Sequence, residues 1–198
     1  MVVPGPSSGT PEYASGVDVI SGLTLAAPAG LNAYIPLLVV AIAQRAGWIQ
    51  LREPYDTLGS WGLIGLIAAL LVVEVVADKV PAVDHVNDVV QTVVRPAAGG
   101  FLALASGHGT VSPAVLVVAG VLIAGGVHSV KATARPVINV STAGAGAPVA
   151  STAEDAGALG ITVLALVVPV LAAALVIAAV VLALLYVRRR RRRRRPAG

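Results

Sequence analysis

The chain contains 198 residues, of which 57% are hydrophobic and only 12% are charged, and its mean hydropathy of +0.86 excludes an ordinary soluble domain. The absence of cysteine excludes disulfides and thiolate metal sites. The net charge of +4 hides an acidic body, because eight of the 14 Lys and Arg residues form the run Arg188–Arg195.

Composition divides the chain into three regions. Residues 1–16 are rich in Pro, Gly and Ser and carry no apolar period, which predicts a disordered N-terminal tail. No Lys or Arg precedes the first apolar run, so we do not expect a cleaved signal peptide. Residues 17–187 suit a single transmembrane bundle domain, and residues 188–198 form a basic tail that we expect in the cytoplasm.

The first predicted span is Val19–Ala43, which carries no charge and is long enough to cross a hydrocarbon core of about 30 Å. It contains Pro28, Gly30, Asn32 and Pro36. A proline removes a backbone hydrogen bond, and neighbouring helices can compensate for this loss in a membrane bundle. Two interpretations remain: a kinked structural span, or a broken helix whose freed carbonyls line a site.

The second predicted span is Leu58–Val80, which follows a short polar connection at residues 44–57. Its apolar run ends at Glu74, and Asp78 follows one helical turn later on the same face, so we expect both carboxylates near a membrane interface. They begin the most charged stretch of the body, which extends to Pro96. Ionisable groups beside long apolar runs are costly in a bilayer and suggest a site.

The segment Val83–Ser106 is amphipathic at helical spacing, with valines on one face. Its polar face comprises Asp84, Asp88, Gln91 and Arg95. Pro96 is predicted to break this helix. Two structures fit: an interfacial helix followed by a re-entrant piece, or a broken span whose polar face turns into the bundle. We favour a fifth crossing, because the segment is long enough to span.

The next predicted span is Ala114–Val130, whose glycines permit close helix contacts. Near its end, His128 is either an interfacial histidine or a proton carrier. The segment Lys131–Asp155 then interrupts the apolar pattern with glycines between two Ser-Thr pairs. It is either a solvent loop that ends in a helix cap or a re-entrant loop that offers backbone groups and hydroxyls to an ion. The ending of a phosphate-binding P-loop is absent.

The last predicted span is Ala156–Val187, in which Pro169 is expected to cause a kink. The arginines that follow at once predict a stop-transfer signal and contacts with anionic lipid headgroups; the residues concerned are Arg188, Arg189, Arg190 and Arg191. We do not expect nucleic acid as a partner. The basic run is expected on the cytoplasmic side of the cell membrane, and five crossings then put the N-terminus outside. The distribution of Lys and Arg between the two sides favours five crossings over four by one residue.

The predicted fold is an all-α, polytopic integral membrane helix bundle with four clear spans and one polar, Pro-broken segment. Three motifs follow one another along the chain: GLNAYIPLLVVAIA at residues 30–43, the acidic block at residues 74–96 and STAGAGAPVASTAED at residues 141–155. Over residues 22–183 the chain resembles a bacterial membrane-protein family known as domain of unknown function 4126. The resemblance puts Glu74, Pro81, Asp84, Asp88 and Pro96 on the acidic block of that family, and it implies no established activity.

The predicted function is transport or channel conduction of a cation or proton through an acidic, Gly-rich intramembrane site. The candidate residues are Glu74, Asp78, Asp84, Asp88, Asn139, Ser141, Thr142, Ser151, Thr152 and Glu154. The alternative is a non-catalytic scaffold that binds lipid or a partner through the Arg tail. A third hypothesis, a metalloenzyme using Asp84, His85 and Asp88, lacks any HExxH-like spacing, so we expect no enzyme activity, metal or cofactor. Small Gly- and Ala-rich spans are compatible with a homo-oligomer.

Overall fold

A computed structural model describes residues 12–78, 81–107 and 111–193, and this part of the chain consists of helices and their connections, without a strand. Seven α-helices are present in it, and the connection after the second contains a short 3₁₀ helix, Tyr55–Gly59. The α-helices are α1 (Glu12–Leu31), α2 (Tyr34–Arg45), α3 (Trp61–Ala77), α4 (Pro81–Ser106), α5 (Pro113–Ser141), α6 (Gly146–Val167) and α7 (Pro169–Arg193). The predicted all-α class is confirmed.

Three of these helices are long and apolar enough to cross a membrane, which is consistent with a membrane protein. They are α5, α6 and the part of α4 from Val89 to Ser106. The other four contribute shorter apolar stretches. Four clear spans are therefore not confirmed, because the predicted spans at residues 19–43 and 156–187 are each divided between two helices.

The first predicted span is a broken helix, and the break lies at Asn32 rather than at either proline. Pro28 lies inside α1, and Pro36 is in the first turn of α2, where a missing backbone N–H costs little. The Asn32 side-chain oxygen accepts hydrogen bonds from the backbone N–H groups of Tyr34 and Ile35, at 3.0 and 3.1 Å. Asn32 thereby satisfies two donors at the start of α2.

Helix α4 is continuous through Pro96, so the predicted break at this residue is wrong. The proline ring faces Gly125 of α5, where an added Cβ would lie 3.5 Å from Pro96 Cγ. A proline inside a membrane helix is tolerated when a neighbouring helix covers the disturbed backbone. Packing against α5 therefore keeps α4 in one piece.

The polarity of α4 is inverted relative to that of a helix in a soluble protein. Gln91 and Arg95 are 2% and 0% exposed, whereas Val90 and Val93 are 56% and 72% exposed. An interfacial helix would keep its polar face in water. The described part of α4 instead turns its polar face into the bundle, as the second of the two predicted structures requires.

The segment Lys131–Asp155 is mostly helical, and neither predicted loop is present. Helix α5 continues to Ser141, and α6 begins at Gly146. The tight turn between them places Ala143 and Gly144 at positive φ, 51° and 87°. The helix continues through this polar stretch because its basic side chains are buried against acidic partners on other helices, as described below.

The closest helix approaches join α1, α4 and α5, and they occur at glycines. A Cβ added to Gly120 of α5 would collide with the carbonyl oxygen of Gly99 and lie 2.8 Å from the Cβ of Ala103, both in α4. A Cβ added to Gly30 of α1 would collide with the carbonyl oxygen of Ala124. The sequence prediction that glycines of α5 permit close contacts is confirmed at Gly120, whereas a Cβ added to Gly126 would meet open space.

The two ends of the chain are described in part. Residues 1–11 of the predicted disordered tail lie outside the described residues, and α1 already begins at Glu12. Near the other end, Val168 separates α6 from α7, which begins at Pro169. Helix α7 continues into the arginine run as far as Arg193, and residues 194–198 lie outside the described part.

Candidate functional site: a buried ion-pair cluster

Six ionisable side chains from four helices form one connected set of ion pairs, which we call the buried ion-pair cluster. Five of them are at most 3% exposed. Its members are Glu74 on α3, Asp78 directly after α3, Arg95 on α4, Lys131 and Arg135 on α5, and Glu154 on α6.

The pair between α3 and α4 is the most deeply buried part of the cluster. Glu74 Oε1 accepts a hydrogen bond from Arg95 Nη2 at 2.8 Å, and the two side chains are 1% and 0% exposed. Removing two charges from water is costly, and a direct hydrogen-bonded contact offsets much of that cost. The pair therefore fixes the position of α3 against α4.

Asp78 connects the three cations of the cluster. Its Oδ2 accepts a hydrogen bond from Lys131 Nζ at 2.9 Å, and lies 3.7 Å from Arg95 Nη2 and 3.6 Å from Arg135 Nη2. Its Oδ1 accepts a hydrogen bond from Asn87 of α4 at 2.8 Å. A single carboxylate at the end of α3 thus faces positive charges from two other helices.

Glu154 closes the cluster from the side of α6. Arg135 contacts both of its carboxylate oxygens, through Nε at 3.3 Å and through Nη2 at 2.5 Å. Lys131 Nζ lies 3.1 Å from Glu154 Oε2. This two-point contact is the geometry in which a guanidinium holds a carboxylate most firmly.

The break between α1 and α2 lies against the cluster. Lys131 Nζ donates a hydrogen bond to the carbonyl oxygen of Leu31, the last residue of α1, at 3.0 Å. The Asn32 side-chain amide donates to Asp155 Oδ1 of α6 at 2.9 Å. Of the two interpretations of this span, the broken helix with a freed carbonyl at a polar site is the one observed.

His128 extends the polar contacts along α5. Its Nδ1 lies 3.0 Å from Arg95 Nη1, and its Nε2 lies 3.2 Å from the Thr92 hydroxyl. A guanidinium can only donate, so Nδ1 accepts and carries no proton. The hydrogen-bond network therefore assigns a neutral imidazole with its proton on Nε2. His128 is buried inside the bundle, at 3% exposure.

Three of the predicted site residues come together in the cluster: Glu74, Asp78 and Glu154. Two more predicted site residues, Asn139 on α5 and Ser151 on α6, lie nearer the turn between these helices. Ser151 is fully buried, and its hydroxyl oxygen and the Asn139 Oδ1 have no hydrogen-bond partner among the described residues. The side chains of Asp84 and Asp88 lie outside the described part of the chain. A binding role for these residues stays a prediction.

The remaining predicted hydroxyls do not join the cluster. Ser141 and Thr142 are exposed and donate to the carbonyl oxygen of Ile138, at 3.1 and 2.8 Å. Thr152 is also exposed and donates to the carbonyl oxygen of Pro148 at 2.8 Å. All three hydrogen bonds stay within one helix or its end, so these hydroxyls are positioned by local structure.

The cations of the cluster are the residues that the sequence prediction left out of the site. Lys131 and Arg135 stand one helical turn apart, the spacing that puts both side chains on one face of a helix. This spacing is visible in the sequence, but it was not recognised because residues 131–155 were predicted to form a loop. Arg95 was recognised on the polar face of α4, without its partner Glu74.

The three carboxylates of the cluster are balanced by its three cationic side chains, and this pairing limits its ability to bind a metal ion. In Asp78 and Glu154 every carboxylate oxygen accepts a hydrogen bond. A metal ion would compete for these oxygens with the ammonium, guanidinium and amide groups bound to them. Among the described residues, no three His, Cys, Asp or Glu side chains are grouped so that they could hold a metal ion.

Comparison with protein-family models gives one result that covers most of the chain. Residues 19–189 match the domain of unknown function DUF4126, which confirms the resemblance of the three motifs. Comparisons with curated proteins and with solved structures give no match. The matched segment includes every residue of the buried ion-pair cluster. The chain therefore belongs to the DUF4126 family, a domain of unknown function.

Proposed function

We propose that the chain is a small membrane transporter or channel for a cation or proton, and that the buried ion-pair cluster is the site on which transport depends. The supporting observation is a connected set of six ionisable side chains, five of them buried, among helices of which three are apolar enough to cross a membrane. Ionisable residues are rare inside membrane bundles because they are costly there, and they commonly mark ion or proton pathways.

The break between α1 and α2 gives further support. Membrane transporters commonly form their ion sites where a helix is interrupted and backbone carbonyls become free. Here the freed carbonyl of Leu31 contacts Lys131, which also contacts Asp78. A rearrangement at the break would therefore change the ion pairs of the cluster directly.

A purely structural cluster is the competing explanation, since the same ion pairs also tie four helices together. We would reconstitute the purified chain into liposomes, impose a proton, sodium or potassium gradient, and follow ion entry with a dye inside the vesicles. We expect the wild-type chain to give ion flux above that of protein-free liposomes. Asp78→Asn should lose this flux, and Asp56→Asn should retain it. Asp56 is the matched control because it is exposed in the connection before α3. Absence of wild-type flux for all three ions would leave the structural role.

A second candidate function is binding of anionic lipid or a partner through the arginine run. The supporting observation is that α7 continues from an apolar stretch directly into the run, with Arg188 and Arg189 exposed. A basic segment next to the membrane is attracted to anionic headgroups by about 1 kcal/mol for each Lys or Arg near the surface. A homo-oligomer is compatible with either function.

The second candidate is tested by replacing residues 189–195 with glutamine. If the chain acts through this run, the variant loses its cellular localisation or the recovery of its partner, while Asp78→Asn behaves normally in the same assays. Normal localisation and recovery of the glutamine variant would argue against this function.

A further inference from the structure

One carboxylate oxygen of the buried ion-pair cluster is unused. Glu74 is 1% exposed, and its Oε1 is bonded to Arg95 at 2.8 Å. Its Oε2 is buried and has no hydrogen-bond partner within the described part of the chain. A buried acceptor that finds no donor is unfavourable, and such an atom in a native structure calls for an explanation.

The other cluster carboxylates differ from Glu74 in this respect. Asp78 accepts from Asn87 on one oxygen and from Lys131 on the other. Glu154 accepts from Arg135 on both. A proton bound to either of these groups would share its oxygen with an existing hydrogen-bond donor. It can bind to Glu74 Oε2 without displacing a donor, which singles out this atom.

The groups that face Glu74 come from each helix packed around it. Asp78 follows it on the same helix, Arg95 faces it from α4, and Lys131 faces it from α5. Tyr34 of α2 lies within interaction range of Glu74 and of Gln91 on α4. Gln91 Oε1 is a second buried acceptor that has no donor among the described residues. A proton on Glu74 would convert its unused acceptor oxygen into a donor.

A metal cation suits this position poorly. Hard cations need about six oxygen ligands, whereas the described residues that face Glu74 offer two unused oxygens, Glu74 Oε2 and Gln91 Oε1. A metal ion bound at Oε2 would also lie beside the guanidinium that holds the other oxygen of the same carboxylate. A proton needs one lone pair and cancels the carboxylate charge, so it is the cation that fits.

We infer that Glu74 Oε2 is the proton-binding atom of the cluster and that the transported ion is the proton. This inference rests on the proposed transport function and narrows its substrate. A proton taken up from water forms an O–H bond at Oε2, and its release to water restores the carboxylate. While Glu74 is neutral, Arg95 keeps His128 at 3.0 Å and Asp78 at 3.7 Å as partners. The bond between α3 and α4 thus weakens and re-forms with each proton.

Protonation of Glu74 can be observed without measuring transport. The sequence contains four glutamates, so selective ¹³Cδ-glutamate labelling of the full chain in lipid nanodiscs gives four carboxyl signals. We expect one signal to titrate separately from the others and to disappear in Glu74→Gln, while Glu53→Gln removes a different, solvent-like signal. Glu53 is exposed in the connection before α3. If the Glu74 signal stays that of a carboxylate at every pH at which the chain is folded, the inference is wrong.

The flux assay then separates the inference from the function on which it rests. We expect liposomes that contain the wild-type chain to take up protons but not sodium or potassium. Glu74→Gln should reduce the proton flux to background, and Glu53→Gln should keep the wild-type flux. The size-exclusion elution profile of Glu74→Gln shows whether this variant is folded. If it is not, the titration of the wild-type chain still tests whether Glu74 binds a proton. Proton flux that persists in folded Glu74→Gln, or selective sodium flux, overturns the inference but not transport. No wild-type flux overturns the proposed function, while the nuclear magnetic resonance titration still reports whether Glu74 binds a proton.

Discussion

At the scale of single residues, Asp78 is the most connected member of the buried ion-pair cluster. It lies within 3.7 Å of three cationic side chains and accepts a fourth contact from Asn87. Each cation is at most 3% exposed, so none of them can turn to water when Asp78 is lost. The cost of losing one buried partner falls mainly on the charges left behind.

We therefore expect Asp78→Ala to destabilise the chain by roughly 3–5 kcal/mol, the range observed when one member of a buried ion pair is removed. The double variant Asp78→Ala with Lys131→Met should be less destabilised, because it also removes the cation nearest to Asp78 and leaves equal numbers of acidic and basic groups in the cluster. Unfolding by sodium dodecyl sulfate in mixed micelles measures both. Asp56→Ala, in the exposed connection before α3, is the control. Equal loss of stability in Asp78→Ala and Asp56→Ala would show that the cluster contributes nothing.

The acidic half of the cluster was identified from the sequence, and the basic half was missed. Glu74 and Asp78 follow an apolar run, and this position alone made them candidates. The roles of Arg95 and Lys131 depend on which helices pack together, and a sequence without its fold does not contain that information. Burial of an unpaired cation is so costly that the sequence pattern favoured an exposed loop for Lys131. The pairing that removes this cost is tertiary.

At the scale of helices, the positions of most elements follow from apolar length, whereas their ends depend on contacts. The sequence predicted a break at Pro96, where the helix continues, and the structure has a break at Asn32. Proline and glycine patterns report local preference, and packing against a neighbouring helix overrides it in α4. At Asn32 the side chain itself caps the next helix, a role that its residue type permits and that Pro36 obscured.

The glycines of α5 provide a test of helix packing with a matched control on the same helix. Gly120→Ala places a Cβ against backbone atoms of α4, which cannot move aside, so we expect destabilisation of roughly 1–3 kcal/mol. An alanine at Gly126 meets open space, and there the higher helix propensity should stabilise by about 0.5–1 kcal/mol. Detergent unfolding of the two variants should therefore shift in opposite directions. Similar shifts would mean that α4 and α5 are not in the contact described.

At the scale of the whole molecule, polarity is inverted. The described part of the chain buries five charged side chains of the buried ion-pair cluster and exposes large apolar side chains on every α-helix, among them Leu122, Val140 and Val72 at 69%, 86% and 63%. An apolar surface of this extent has no place in water, and hydrocarbon is the environment that it suits. The inverted pattern and the low charge content of the sequence have the same physical cause. Composition therefore predicted the class of the molecule better than it predicted any single helix end.

The orientation in the membrane is the remaining prediction for the molecule as a whole. Basic residues are retained on the cytoplasmic side, so the arginine run predicts an internal C-terminus, and an odd number of crossings then puts the N-terminus outside. The chain has no cysteine, so Ser8→Cys and Gly198→Cys each introduce one unique thiol. We expect a membrane-impermeant maleimide to label Ser8→Cys in intact cells, and to label Gly198→Cys only after the membrane is opened. Labelling of both variants in intact cells, or of neither, would require an even number of crossings.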